Sequence, residues 1–149
     1  MPPHDLTDGD YRRLLGLRTR LRGFLRWSED QARAAGLTAA QHQLLLAVRG
    51  HDDPAGPTIG EVADYLYLRH HSAVGLVDRA DDAGLVRRMD DPEDRRVTRV
   101  LLTEAGRRAL RALSEQHIDE LARLASHLQP LLAGLDLSKD DHGGSRVAG

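Results

Sequence analysis

Between Thr58 and Gly106 the sequence carries so many start and stop signals that few chain paths satisfy it. Thr58-Ile59-Gly60-Glu61 has the hydroxyl and acid, three positions apart, of a capping box, so a helix opens there. Ile59, Val62, Ala63 and Leu66 then share one face of it. A short turn through Tyr67 and Leu68 leads to a second helix, about His70 to Ala83, which Gly84 stops. Its inner face carries Ala73, Leu76, Val77 and Ala80. Val86 to Met89 and Val97 to Leu102 read as two strands around the charged tip Asp90-Asp91-Pro92-Glu93-Asp94-Arg95-Arg96. Thr103 can cap another helix, with Glu104 near its positive end. Helix, tight turn, helix, hairpin is the order of a winged helix-turn-helix. Such a lobe offers one helix to a DNA major groove and its hairpin to the backbone or minor groove.

The flanks are helical. Leu14, Leu17, Leu21, Phe24 and Leu25 recur at helical spacing over about Asp8 to Ala35, and Gly36 ends the run. Thr38-Ala39-Ala40-Gln41 is another capping box, opening a helix through about Arg49. The loop His51-Asp52-Asp53-Pro54-Ala55-Gly56-Pro57 comes next. After the hairpin, Leu110, Leu113, His117, Leu121, Leu124 and Leu128 form one stripe, and Pro130 is expected to kink or interrupt it, leaving Leu131-Leu132 as a separate last turn. The expected fold is mainly α with a small β-hairpin wing. Residues 1–36 form an N-terminal dimerisation helix, 37–102 the winged lobe, 103–137 C-terminal dimerisation helices and 138–149 a disordered polar tail. The terminal stripes exceed what one lobe can cover, and a second copy is the economical cover. Folding back on their own lobe is the alternative.

Composition narrows the function. With no cysteine, disulfides, thiolate metal sites and thiol redox sensing are excluded. Aromatics are 3%, so Leu, Val and Ala must fill the core. No apolar run is long enough to span a membrane, and the start Met1-Pro2-Pro3-His4-Asp5 lacks the basic and apolar regions of a signal peptide. A cytoplasmic location is the expectation. The net charge of −2 argues mildly against nucleic acid. From Arg69 to Arg99, seven arginines (69, 79, 87, 88, 95, 96, 99) meet seven acids (78, 81, 82, 90, 91, 93, 94). Binding must therefore depend on where charges point.

The wing and the helix start after it carry a family resemblance. Asp94-Arg95-Arg96 has the Asp-x-Arg form, and Leu102-Thr103-Glu104-Ala105-Gly106 the adjoining helix start, of MarR-family transcriptional regulators. The similarity covers about Leu14 to Leu132. It implies a two-fold homodimer held by interlocking terminal helices, with two recognition helices on a pseudo-palindromic duplex. It also implies that Asp94 orients the hairpin through an ion pair while Arg95 or Arg96 meets DNA. The second helix of the motif opens Arg69-His70-His71-Ser72, whose side chains suit base edges or phosphates, and Gly75 permits close approach. Relatives often place a small hydroxyl residue where Arg69 stands, so their operator does not transfer. Exposed polar residues at a helix start are the bland alternative.

MarR-like relatives are often receptors for phenolic or other lipophilic compounds. The resemblance suggests a pocket lined by Leu21, Phe24, Leu25, Trp27, His42 and Leu46, and a repressor released by such an effector. No cofactor is expected. His42, His117 and His127 sit at unrelated spacings and do not make a metal site by themselves. His51-Asp52-Asp53 superficially suggests a metal-bound phosphohydrolase, but further spaced ligands, phosphate loops and nucleophile elbows are missing, which speaks against an enzyme. The rival reading is a winged-helix module that binds protein instead of DNA, kept open by the neutral wing-plus-helix segment.

Overall fold

The computed structural model describes residues 5–135. In chain order the elements are α1 (Asp8–Ala34), α2 (Ala39–Gly50), α3 (Ile59–Leu66), α4 (His70–Asp82), β1 (Val86–Asp90), β2 (Thr98–Leu102) and α5 (Glu104–Ala133). This is a mainly α chain with one hairpin, and α3, α4 and the hairpin succeed one another in the order of a winged helix-turn-helix. The tail expected from Ser138 lies outside the described residues. None of the described helices is long and apolar enough to cross a membrane.

Local chemistry sets the helix ends. Thr38 Oγ1 accepts from the Gln41 N–H at 3.1 Å while Gln41 Oε1 accepts from the Thr38 N–H at 3.1 Å. Thr58 and Glu61 repeat the exchange at 3.1 and 3.2 Å. Each box satisfies two backbone donors that a helix start otherwise leaves without partners. At the end of α4, Gly84 takes φ +72°, which lets the Leu85 N–H reach back to the Ala80 carbonyl at 2.9 Å.

The chain divides into two compact units. One is the lobe, residues 28–117. Its α2 packs on α3, α4 and β2, and α4 backs onto β1. Leu44, Leu45, Val62, Val77, Val86 and Val100 contribute from five elements to a core with under 2% exposure at each. The strands pair antiparallel in the register Val86↔Leu102 through Asp90↔Thr98. A further bridge joins Thr58 to Arg99, and the Val100 N–H donates to the Pro57 carbonyl at 2.9 Å, so the base of the wing is tied to the start of α3.

The junction of β2 and α5 explains Leu102-Thr103-Glu104-Ala105-Gly106. Thr103 Oγ1 donates to the Gly84 carbonyl at 2.6 Å and accepts from the Gly106 N–H at 3.0 Å, and the Thr103 N–H donates to the Leu85 carbonyl at 3.1 Å. A Cβ at Gly106 would lie 2.1 Å from the Leu85 oxygen. Only glycine lets the first turn of α5 approach that carbonyl so closely.

The other unit comprises residues 1–27 and 118–149, of which the described parts are helical turns of α1 and α5. Here the expected interruption at Pro130 is corrected: α5 runs unbroken to Ala133 with Pro130 inside it. An interior proline removes one hydrogen bond and crowds the preceding turn. Packing holds the turn beyond it, because Leu131 lies against Gly16, where a Cβ would stand 3.2 Å from its Cδ1. In this unit Tyr11, Leu14, Leu15, Leu21, Leu25 and Ile118 are between 46% and 67% exposed, an apolar surface the single chain leaves open.

Candidate nucleic-acid interface

Helix α4 begins without a side-chain cap. Arg69 is its N-cap residue, in extended backbone at φ −68° and ψ 151°, and makes no capping hydrogen bond. The missing hydroxyl noted in the sequence therefore leaves free backbone donors at the positive end of the helix, where anions are favoured. Arg69, His70 and His71 are exposed and Ser72 is half-buried. Ala73, Leu76, Val77 and Ala80 on the other side are buried in the lobe core, so the exposed end is held on a rigid element. Gly75 is half-buried, and a Cβ there would stand 3.2 Å from Nη1 of Arg79, whose guanidinium lies over it.

Ion pairing sorts the balanced charges of this segment. Asp78 is taken by Arg88, which ties α4 to β1. Asp81 and Asp82 sit at the C-terminal end of α4, away from Arg69, His70 and His71 at its start. The start of the helix thus carries Arg69 and free N–H groups, while its last turn carries Asp81 and Asp82 together with Arg79.

In the wing, Asp91 Oδ1 accepts from the N–H groups of Glu93 and Asp94 at 2.8 and 3.1 Å, folding the tip. Its Oδ2 receives Arg99 Nε at 2.5 Å, and Arg99 Nη1 continues to the Gly56 carbonyl at 2.8 Å. These bonds, the Arg99 guanidinium first, hold the Asp91 carboxyl below its ordinary range. Asp53 lies 3.8 Å from Arg99, adding to the negative surroundings that raise the arginine. Asp94 pairs with Arg96. Its two oxygens take Arg96 Nε and Nη2 at 3.1 and 3.2 Å and its Oδ1 takes the Arg96 N–H at 3.0 Å, so its pKa is lowered chiefly by Arg96. Arg96 is thus a partner of the tip's own carboxylate, and Arg95 beside it is exposed with no ion pair among the described residues. Arg99 is a residue that sequence reasoning missed. Its position on β2 says only that it alternates, and its role as a clamp between tip, strand and the loop before α3 exists only in three dimensions.

Of the pocket candidates, Leu21, Phe24, Leu25 and Trp27 belong to one unit and His42 and Leu46 to the lobe. Phe24 and Trp27 stack at 6.0 Å between ring centroids. Phe24 also lines a cavity of about 300 Å³ with Thr19, Arg20, Leu124 and His127. Leu21 and Leu25 are exposed. His42 is buried in the lobe with its ring 4.7 Å from that of His117, and burial, then His117, lowers its pKa. His117 Nδ1–H donates to the Leu113 carbonyl at 2.8 Å, and its Nε2 is hydrogen-bonded to Ser28 Oγ at 2.7 Å. Leu46 lines a different recess, with Gln43, Ala47, Tyr65 and Leu66. His127 Nδ1 is bonded to the Arg123 carbonyl at 2.8 Å, and the described residues hold no group of three potential metal ligands. His51, from the loop weighed as a metal motif, has both ring nitrogens engaged: Nδ1 with Tyr65 Oη at 2.8 Å and Nε2 with Glu61 at 3.2 Å.

A sequence profile described as the MarR family matches residues 35–97. The transcriptional activatory protein BadR of Rhodopseudomonas palustris is 32% identical over 85 residues, which are 57% of this chain and 49% of BadR. The match thus spans about half the length of that relative. Among solved structures, AbsC, a MarR family transcriptional regulator from Streptomyces coelicolor, superposes with a TM-score of 0.66 at 20% identity, covering 87% of this chain and 96% of AbsC. An S. aureus MepR mutant bound to an oligodeoxyribonucleotide gives 0.62 at 19% identity, covering 90% and 88%. These two share the fold.

Proposed function

Because the chain belongs to the MarR family of winged-helix transcription regulators, we propose that it works as a homodimer reading a pseudo-palindromic duplex, a repressor released by a small lipophilic or phenolic ligand. The observation that carries the DNA reading is the start of α4, where uncapped backbone donors, Arg69, His70 and His71 stand exposed together on a helix locked into the core. In a major groove, Arg69 and His71 would meet base edges while Ser72 and the free N–H groups take phosphates. Arg95 at the wing tip would enter the narrow minor groove, with Asp91, Arg99 and the Asp94–Arg96 pair holding the hairpin in place.

The exposed leucines of α1, with Ile118 and Leu121 of α5, support burial against a second copy. The cavity beside Phe24 has an apolar wall of Phe24 and Leu124, and its Arg123 is already paired with Glu120 at 2.9 Å, which suits a small lipophilic or phenolic ligand better than a strongly acidic one. A ligand that favours a dimer with the wrong lobe spacing would lower DNA affinity by population shift.

Fluorescence anisotropy on a duplex from the protein's own upstream region, against a scrambled duplex at low and high salt, tests the core of this reading. Tight, salt-sensitive binding that prefers the native duplex is expected. No affinity for either duplex at low salt, from a folded dimer, would refute it and move the function to a protein-binding winged helix.

A further inference from the structure

Tyr67, in the turn between α3 and α4, is the one non-glycine residue with positive φ among the described residues, at φ 54° and ψ 41°. It is also 97% exposed, more than any other large hydrophobic residue described. The two facts conflict with stability. An L side chain in left-handed backbone is strained, and glycine would relieve it. A fully exposed ring recovers nothing in return, because it buries almost no surface within the described fold. The backbone conformation is itself required: the Tyr67 N–H bonds the Asp64 carbonyl at 3.4 Å, and the Leu68 N–H reaches the Ala63 carbonyl at 2.9 Å, which closes α3 and aims the chain into α4. The turn thus needs positive φ and does not need a tyrosine.

Strained residues of this kind collect where a surface meets a ligand. Resting on the DNA-binding reading above, we propose that Tyr67 is a DNA-contact residue, its ring lying on the sugar-phosphate backbone at the edge of the groove that α4 enters and its hydroxyl donating to a phosphate. Position carries the choice of partner, since Tyr67 stands two residues before Arg69 and three before His70, at the exposed basic start of α4. A shallow recess lined by Glu61, Asp64, Tyr65 and Tyr67 lies on the α3 side, and its carboxylates repel phosphate. The phosphate contact is therefore on the side of the ring toward Arg69. A tyrosine reaches farther than the glycine such a turn prefers, and its neutral donor adds contact without adding to the charge of the segment.

Three full-length proteins, the parent, Tyr67→Gly and Tyr67→Phe, are compared by thermal melting and by anisotropy on native and scrambled duplexes. Tyr67→Gly is expected to melt a few degrees higher, because strain is released. It should bind both duplexes about tenfold more weakly, because a phosphate contact does not depend on sequence. Tyr67→Phe should melt with the parent and lose most of the same affinity. Parent-like binding by either variant overturns the contact, and so does a Tyr67→Gly protein whose melting temperature falls together with its affinity. A parent that binds neither duplex overturns the DNA reading itself, whereas a binding parent with unchanged variants overturns the Tyr67 assignment alone.

Discussion

Replacing Gly106 by alanine tests the joint between the wing and α5. The added Cβ would stand 2.1 Å from the Leu85 carbonyl oxygen and 3.1 Å from its carbon. Even a close C–H···O contact needs about 3.3 Å, so one backbone must retreat by about 1 Å. Neither can swing aside like a side chain. The Leu85 oxygen accepts the Thr103 N–H at 3.1 Å, and Thr103 in turn holds Gly84 and caps α5, so a retreat strains that whole set. Overpacking a tight contact costs about 1–3 kcal/mol, and weakening the shared hydrogen bond adds about 1 kcal/mol. Alanine returns about 1 kcal/mol through its better helix propensity. A net loss of about 2 kcal/mol lowers the melting temperature of a chain this size by about 4–8 °C. Gly60→Ala is the control. Its Cβ meets nothing closer than Thr58 Oγ1 at 3.8 Å, so it should raise stability by about 0.5 kcal/mol. Melting both proteins by circular dichroism decides the matter. A Gly106→Ala protein as stable as the parent would refute the close-approach account of the Thr103–Gly106 motif.

The same geometry sets the outcome of other substitutions. Arg95→Ala should weaken binding to native and scrambled duplexes alike and reduce the salt slope by about one, whereas Arg96→Ala, which frees Asp94, should change affinity mainly through the shape of the tip; anisotropy across a salt series separates them. Asp91→Asn should unclamp Arg99 and speed amide exchange from Asp90 to Thr98 while the α2–α4 core stays protected. Because the Asp91 and Asp94 pKa values are lowered, their stabilisation is present above the ordinary value of 3.8 and lost as pH falls below it, so wing protection should fade there first. His42 is also lowered, from 6.5, so the unfolded chain binds a proton that the folded lobe refuses. Lobe stability should hold above that value and decline as pH falls beneath it, and His42→Gln should flatten the decline.

Elements whose limits depend on neighbours in sequence were legible before any coordinates. Two capping boxes, the glycine after α4 and the short apolar-edged strands around a charged tip are local devices, and the helices and hairpin begin and end within about two residues of where they point. Pro130 shows the limit of such reading. Its local penalty is real, yet Leu131 against Gly16 keeps the helix going, and a contact so far apart in the chain leaves no mark at proline itself. The site divides in the same way. Arg69, His70 and His71 could be named from their place at a helix start. That Arg96 is held by Asp94, that Arg99 clamps the wing, and that His42 is sunk beside His117 while Leu46 faces another recess could not.

The order of elements and the residues that start and stop them were written in the chain itself, because capping, turn geometry and helical periodicity act over a few residues. Folding in three dimensions had to settle which of seven balanced arginines and acids cancel and which stay exposed, and where a tyrosine is forced into left-handed backbone. Ion pairing and exposure depend on distances between groups far apart in the chain, and only the packed fold sets those distances.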